Sequence, residues 1–179
     1  MSVFFDAMPS DEIGVVAFAY SPFVLAPFSS DKETLKMMID GVDDSYINMG
    51  STDFSALGTL GAKLLEKKEP KIMVLFTDGG DEKAIAGFAD VLKSQKIDLY
   101  VVLVGTAKGS PVLDAKGKPM TKKDGTIAIT QRNDALGTLA KENGGAYVVA
   151  TTGKEDIESL ISVIRGKYKD KQQGEVKIS

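Results

Sequence analysis

The sequence contains no cysteine and no histidine. Without cysteine there is no disulfide, no zinc–thiolate site and no thiol nucleophile, and the redox compartment stays open. Without histidine the commonest general base and the commonest transition-metal ligand are both missing. A Ser-His-Asp nucleophile is therefore excluded, and any catalysis would rest on carboxylates, lysines or hydroxyls. No stretch approaches the roughly 20 apolar residues of a membrane-spanning helix, and Asp6, Asp11 and Glu12 interrupt the apolar region a signal peptide needs. As written, the chain is expected to be soluble. No strand is followed by Gly-x-Gly-x-x-Gly, and Gly117-Lys118 runs into Pro119 without a glycine five residues before Gly117, so there is no phosphate loop. A net charge of -3, with acids and bases interleaved, gives no electrostatic case for nucleic acid or an anionic membrane.

What is present is an ordinary globular composition, 43% hydrophobic and 26% charged over 179 residues, long enough for one domain with a real core. The chain is organised around Lys71 to Gly80, in which six apolar or near-apolar residues, Ile72 to Thr77, follow one another between Pro70 and the Gly79-Gly80 pair. It is too short for a helix and too continuous for a strand with one wet face, so it reads as a strand buried on both sides in a parallel sheet. Ligands in open α/β sheets gather beyond the carboxyl ends of such strands, and Asp78 stands there. Asp78 reads equally as a cap or turn residue and as a metal or substrate contact.

Taken in order, Met1 to Met8 suits the last turns of a helix stopped by Pro9-Ser10-Asp11. Ile13 to Ala19 and Phe23 to Phe28 form a hairpin, its second strand at a sheet edge because it carries prolines. Ser30-Asp31-Lys32-Glu33 matches a capping box for a helix ending near Asp43. Gly50-Ser51-Thr52-Asp53 then precedes an amphipathic helix marked by Phe54, Leu57, Leu60 and Leu64, so Thr52 reads as an N-cap or as a site residue. A helix from Asp81-Glu82 and a buried strand over Ile97 to Val104 follow. Residues 105–130 break the alternation with Pro and Gly and suit a surface hairpin. A helix from Asn133 to Glu142, a strand from Tyr147 to Ala150 and a last helix behind the capping box at Thr152 to Glu155 complete a domain over residues 1–168. The polar tail, residues 169–179, is expected to fray.

These segments resemble a von Willebrand factor A domain. The residues that carry the likeness are Gly50-Ser51-Thr52-Asp53 opening a helix and Val74-Leu75-Phe76-Thr77-Asp78-Gly79 closing a strand, with Asp11 to Ala19, Pro27 to Asp31 and Gly144-Gly145-Ala146-Tyr147 beside them. Together they are similar to the membrane-anchored bacterial proteins of aerotolerance (Bat-type) operons. The resemblance implies a doubly wound α/β fold, with a mostly parallel sheet, helices on both faces and one antiparallel edge strand. It implies that Thr52 and Asp78 belong to a metal-ion-dependent adhesion site for Mg²⁺ or a similar divalent ion, with Ser51, Asp53, Gly79 and Asp81 nearby. The family's Asp-x-Ser-x-Ser motif and first central strand have no counterpart here, which leaves two of five protein positions and weak metal binding.

The implied function is a non-enzymatic protein-binding module whose metal takes a carboxylate from a partner. The rivals are a hydrolase or phosphotransferase with Asp78 as nucleophile, helped by Asp81 or Lys83, and a metal-free interaction scaffold. In the family the sheet runs three, two, one, four, five, six. Losing strand one sets Ile13 to Ala19 and Lys71 to Thr77 on either side of an empty place; direct pairing or a partner chain, including self-association, is expected there ahead of the internal candidate Glu175 to Ile178, whose two apolar residues are a poor substitute for a central strand.

Overall fold

In the computed structural model, the residues described are 2–18, 21–42, 53–77, 82–103, 110–111, 118–119, 129–130, 135–150 and 154–174. A short helix α1 (Ser2–Ala7) leads into the hairpin β1 (Ile13–Phe18) and β2 (Pro22–Ser29), followed by α2 (Lys32–Asp40) and α3 (Phe54–Leu65). Then come β3 (Ile72–Thr77), α4 (Glu82–Ser94), β4 (Asp98–Leu103), the pair β5 (Ser110–Pro111) and β6 (Ile129–Thr130), α5 (Ala135–Glu142), β7 (Tyr147–Val149) and α6 (Glu155–Gly174). The expected order of strands and helices is present, and β5 pairs β6 antiparallel inside the expected 105–130 hairpin.

The described strands form two main sheets rather than one. β3, β4 and β7 pair in parallel in the order β3-β4-β7, and β1 pairs β2 antiparallel. Helices cover both faces of the parallel sheet. Leu99, Val101 and Leu103 of β4 pack with α3, α4 and α5 through residues such as Phe54, Phe88 and Leu136. On the other face Tyr100 and Val102 pack with Phe4 of α1 and with Leu160, Ile161 and Ile164 of α6. This is the two-faced apolar strand of a parallel sheet, and β4 shows it fully.

β3 departs from the expectation of a strand buried on both sides. Four of its six residues are half-buried, with only Leu75 and Thr77 buried, because β4 pairs one flank and, among the described residues, no strand pairs the other. Direct pairing of β1 with β3 does not occur among them either.

Local signals shifted along the chain, by one residue at a cap and by several at helix ends. The cap of α2 is Asp31, not Ser30: its carboxylate accepts hydrogen bonds from the Thr34 amide at 3.1 Å and the Thr34 hydroxyl at 2.6 Å. A β-region Asp with two local donors outcompetes the serine before it, and the Thr34 bonds hold its carboxyl below the usual range. α2 ends at Asp40, before the expected Asp43. The capping box at Thr152 to Glu155 falls largely outside the described residues. At the other end of the chain, α6 continues to Gly174, through residues expected to fray. Lys and Gln are good helix formers and carry it on.

Two contacts fix the lower end of the parallel sheet, where β3 and β4 begin. Gly144 at the end of α5 has φ 73°, the left-handed conformation glycine adopts without strain. Next to it, a Cβ built on Gly145 would lie 1.6 Å from the Leu99 carbonyl oxygen, so the turn into β7 runs directly against β4. Tyr168 of α6 donates a hydrogen bond to Asp98, accepts one from Tyr100 at 3.2 Å, and has Lys167 beside it on Asp98 at 3.0 Å.

Gly145→Ala is expected to lose about 3 kcal/mol or more in urea melts, since backbone rather than a flexible side chain must move. Gly166→Ala, mid-helix with nothing within 4 Å of the new methyl, is expected to gain up to about 1 kcal/mol. Burial, and then the bonds to Asp98 and Tyr100, push the Tyr168 phenol well above its ordinary 10.0. A raised folded pKa means the neutral phenol's contribution is complete below that pH and is lost as pH rises past it. Tyr168→Phe should therefore lower stability at neutral pH and flatten the decline on the alkaline side, read from melts at stepped pH.

Candidate functional site

The site residues expected from sequence cluster at two chain positions, the start of α3 and the end of β3. Thr52, Asp78, Ser51, Gly79 and Asp81 lie outside the described residues. The elements that carry them are described. Met73, early in β3, lies against Gly61 of α3, where an added Cβ would meet its methyl at 2.2 Å. From Gly61 the helix runs back seven residues to Phe54, about 10 Å at 1.5 Å per residue. From Met73 the strand runs forward four residues to Thr77, about 13 Å at 3.3 Å per residue. Ser55 lies on Gly87, and Gly58 on Phe88 and Val91, so α3 runs alongside α4 in the same sense; α4 begins five residues after β3 ends, so the N-terminus of α3 and the C-terminus of β3 share one end of the sheet.

Aromatic packing holds that end. Phe54, the first residue of α3, meets Phe88 of α4 at 5.8 Å between ring centroids and Phe18 at the end of β1 at 6.2 Å. Ser55 lies against Gly87 of α4, whose missing side chain gives it room. Thr77, the last residue of β3, is buried and polar at 6% exposure. The sequence offered a clue to this packing in the apolar stripe of α3, but the partners Phe18 and Phe88 come from elements on either side of it and have no spacing signal.

Asp53 is the one expected neighbour of the site that is described. It caps α3 in an extended conformation, accepting from the Ala56 amide at 2.9 Å. The capping role open to Thr52 is thus filled by the next residue. An exposed carboxylate at a helix N-terminus satisfies an orphan amide and complements the helix dipole. Among the described residues, no three acidic side chains come close enough to hold a metal. Among the described residues, one concavity lies between Phe23, Leu25, Gly41 and Val42 and another at the opposite end by Glu69, Lys96 and Asp98.

The other end of the hairpin is tied down by charge. Lys68, after α3, bonds Glu12 before β1 at 2.7 Å and sits 4.5 Å over the Phe28 ring. The hydrogen bond from Lys68 holds the Glu12 carboxyl below its usual range. With Phe18 against Phe54 at one end and Glu12 against Lys68 at the other, β1 runs antiparallel to α3 and so in the same direction as β3.

Comparison with known proteins gives the same outline. Residues 2–162 match the family model described as von Willebrand factor type A domain. A search of curated proteins found no match. Among solved structures, a conserved hypothetical protein BatB from Bacteroides thetaiotaomicron is similar at TM-score 0.81 and 22% identity, covering 94% of this chain and 84% of that one. An aerotolerance-related membrane protein from Bacteroides fragilis NCTC 9343, carrying multiple mutations to serines, is similar at TM-score 0.80 and 26% identity, covering 92% and 84%. Among the described residues, no helix is long and apolar enough to cross a membrane.

Asp53→Ala is expected to cost about 1 kcal/mol in denaturant melts through loss of the cap, and Asp53→Asn a few tenths at most. An equal loss from both would mean that its charge, not the cap, matters.

Proposed function

The chain belongs to the von Willebrand factor type A domain family, and on that premise we propose that it is a protein-binding module with a partial metal-ion-dependent adhesion site at Thr52 and Asp78. Domains of this family generally mediate protein–protein interaction. The observation that carries the finer reading is the shared end of α3 and β3, fixed by Ser55 on Gly87, by Gly58 on Phe88 and Val91, and by Phe54 between Phe18 and Phe88. The chain connections from Asp53 and Thr77 to the two site residues are one residue each.

The donor set suits a hard cation. A threonine hydroxyl and an aspartate carboxylate are oxygen ligands of the kind Mg²⁺ takes. With only these two, the ion would keep most of its water. Bound there, it supplies positive charge that lets a partner's carboxylate approach Asp78 without repulsion. Thr52 would orient the ion as a neutral donor, and Asp78 would hold it as the charged one. Asp53, whose carboxylate already serves the Ala56 amide, stays with the helix. A membrane-anchored parent in a bacterial envelope is consistent with the Bacteroides fragilis relative described as a membrane protein.

Calorimetric titration should show Mg²⁺ binding no tighter than millimolar, about 4 kcal/mol at a 1 M standard state. Asp78→Ala should abolish it and Asp53→Asn should spare it. Micromolar affinity, or binding that survives Asp78→Ala, would contradict the assignment, as would phosphatase turnover that depends on Asp78.

A further inference from the structure

Asn143 is followed by Gly144, whereas Asn48 and Asn133 are followed by Met49 and Asp134. The amide carbon of an asparagine side chain lies within reach of the next backbone nitrogen, and bond formation between them closes a cyclic imide. A side chain on the next residue hinders that approach, and glycine has none. Gly144 is exposed, so water reaches the junction, and among the described residues its N–H has no hydrogen-bond acceptor. Its nitrogen is therefore not tied up by the fold.

The asparagine itself is held in an unreactive arrangement. Its backbone N–H donates to the Leu139 carbonyl at 3.0 Å, and its side-chain amide donates to the same carbonyl at 3.0 Å. Side chains on a helix lean toward the N-terminus of that helix, and the second bond pins this one there. The Gly144 nitrogen lies on the opposite, C-terminal side. Ring closure thus requires the side chain to leave Leu139 and the last turn of α5 to open. Helix ends are where such local opening costs least.

We propose that the Asn143-Gly144 junction is a site of spontaneous deamidation, gated by opening of the last turn of α5. The Gly144 nitrogen gives its proton to water or hydroxide and bonds to Cγ of Asn143, the Cγ–Nδ2 bond breaks, and Nδ2 takes up a proton and leaves as ammonia. Water then adds to either carbonyl of the imide. Opening at Cγ leaves aspartate. Opening at the main-chain carbonyl leaves isoaspartate, whose backbone runs through Cβ and Cγ. Water is consumed and ammonia released, with no oxidant or reductant.

Neither product fits the place of asparagine. A carboxylate there has no hydrogen to give the Leu139 carbonyl and stands at a helix C-terminus, where negative charge is disfavoured. Isoaspartate also lengthens the main chain just before Gly144, whose carbonyl accepts a hydrogen bond from Lys167, and Gly145, where an added Cβ would lie 1.6 Å from the Leu99 carbonyl oxygen. A turn this close to β4 has no room for the extra carbon. Conversion therefore loosens the lower end of the sheet, opposite the end that carries the candidate site.

The test holds the chain at mildly alkaline pH, folded in one sample and unfolded in guanidinium chloride in another, and follows its peptides by chromatography and mass spectrometry. In the unfolded sample the peptide carrying Asn143 should change from amide to acid before those carrying Asn48 and Asn133, as a resolved aspartate and isoaspartate pair. In the folded sample the same conversion should run roughly tenfold or more slowly. Asn143→Gln, whose longer side chain closes a ring far less readily, should stay unconverted, and Asn143→Asp should melt below the parent chain. No conversion at Asn143 in the unfolded sample, or earlier conversion at Asn48 or Asn133 there, would overturn the site. Equal rates in the two samples, or conversion in the unfolded one alone, would overturn the gate, and an Asn143→Asp chain that melts with its parent would overturn the consequence.

Discussion

The packing of α3 across both sheets is the interaction on which the rest of this structure depends. No backbone ladder joins the β1–β2 hairpin to the parallel sheet among the described residues, so the two are held together by side chains. Phe54 reaches Phe18 on one sheet and Phe88 behind the other, Gly61 receives Met73, and Lys68 at the helix's far end bonds Glu12. Contacts at three positions, two on the helix and one just after it, fix both the spacing and the direction of the hairpin. Burial of aromatic rings, rather than the exposed ion pair, supplies most of the energy, because surface pairs contribute at most about 1 kcal/mol.

Two consequences follow from the same helix. Its N-terminus is brought to the carboxyl end of β3, which is where an α/β sheet collects ligands. Its body spans the gap between the sheets, as α1 does on the opposite face through Phe4 and Phe5. The place proposed for the candidate site and the flank of β3 that is unpaired among the described residues thus both follow from one packing arrangement. β4 shows the contrast: paired on both flanks and covered on both faces, it is buried almost throughout, whereas β3 is half-buried over most of its length.

The strands were legible in the sequence because they are short apolar runs bounded by breakers, and β1, β3 and β4 fall within a residue or two of their expected limits. The hairpin insertion was legible from its prolines and glycines. Which strands pair was not, because Ile13 to Phe18 and Ile72 to Thr77 carry the same apolar pattern whether or not a neighbour is present. The α2 cap was misread by one residue because Ser30 and Asp31 are both good caps, and only the donors of Thr34 decide between them. The end of α6 was misread because polarity was taken for fraying, although Lys and Gln favour helix. For the candidate site, residue types and spacing reached Thr52 and Asp78 through a family likeness. The convergence of their parent elements shows in the contacts of Phe54, Ser55 and Gly58 with α4, which no local pattern announces.

Amide hydrogen exchange along β3 tests most directly the claim that side chains alone couple the two sheets, the flank of β3 away from β4 being unpaired among the described residues. Protection requires a hydrogen-bonded amide, and the ladder to β4 uses only alternate residues, in step with the Asp98 amide on the Lys71 carbonyl. The account predicts slow exchange at Met73, Leu75 and Thr77 and fast exchange at Ile72, Val74 and Phe76. Uniform protection of all six amides in the isolated chain would mean that β3 is paired on both sides, and would contradict it.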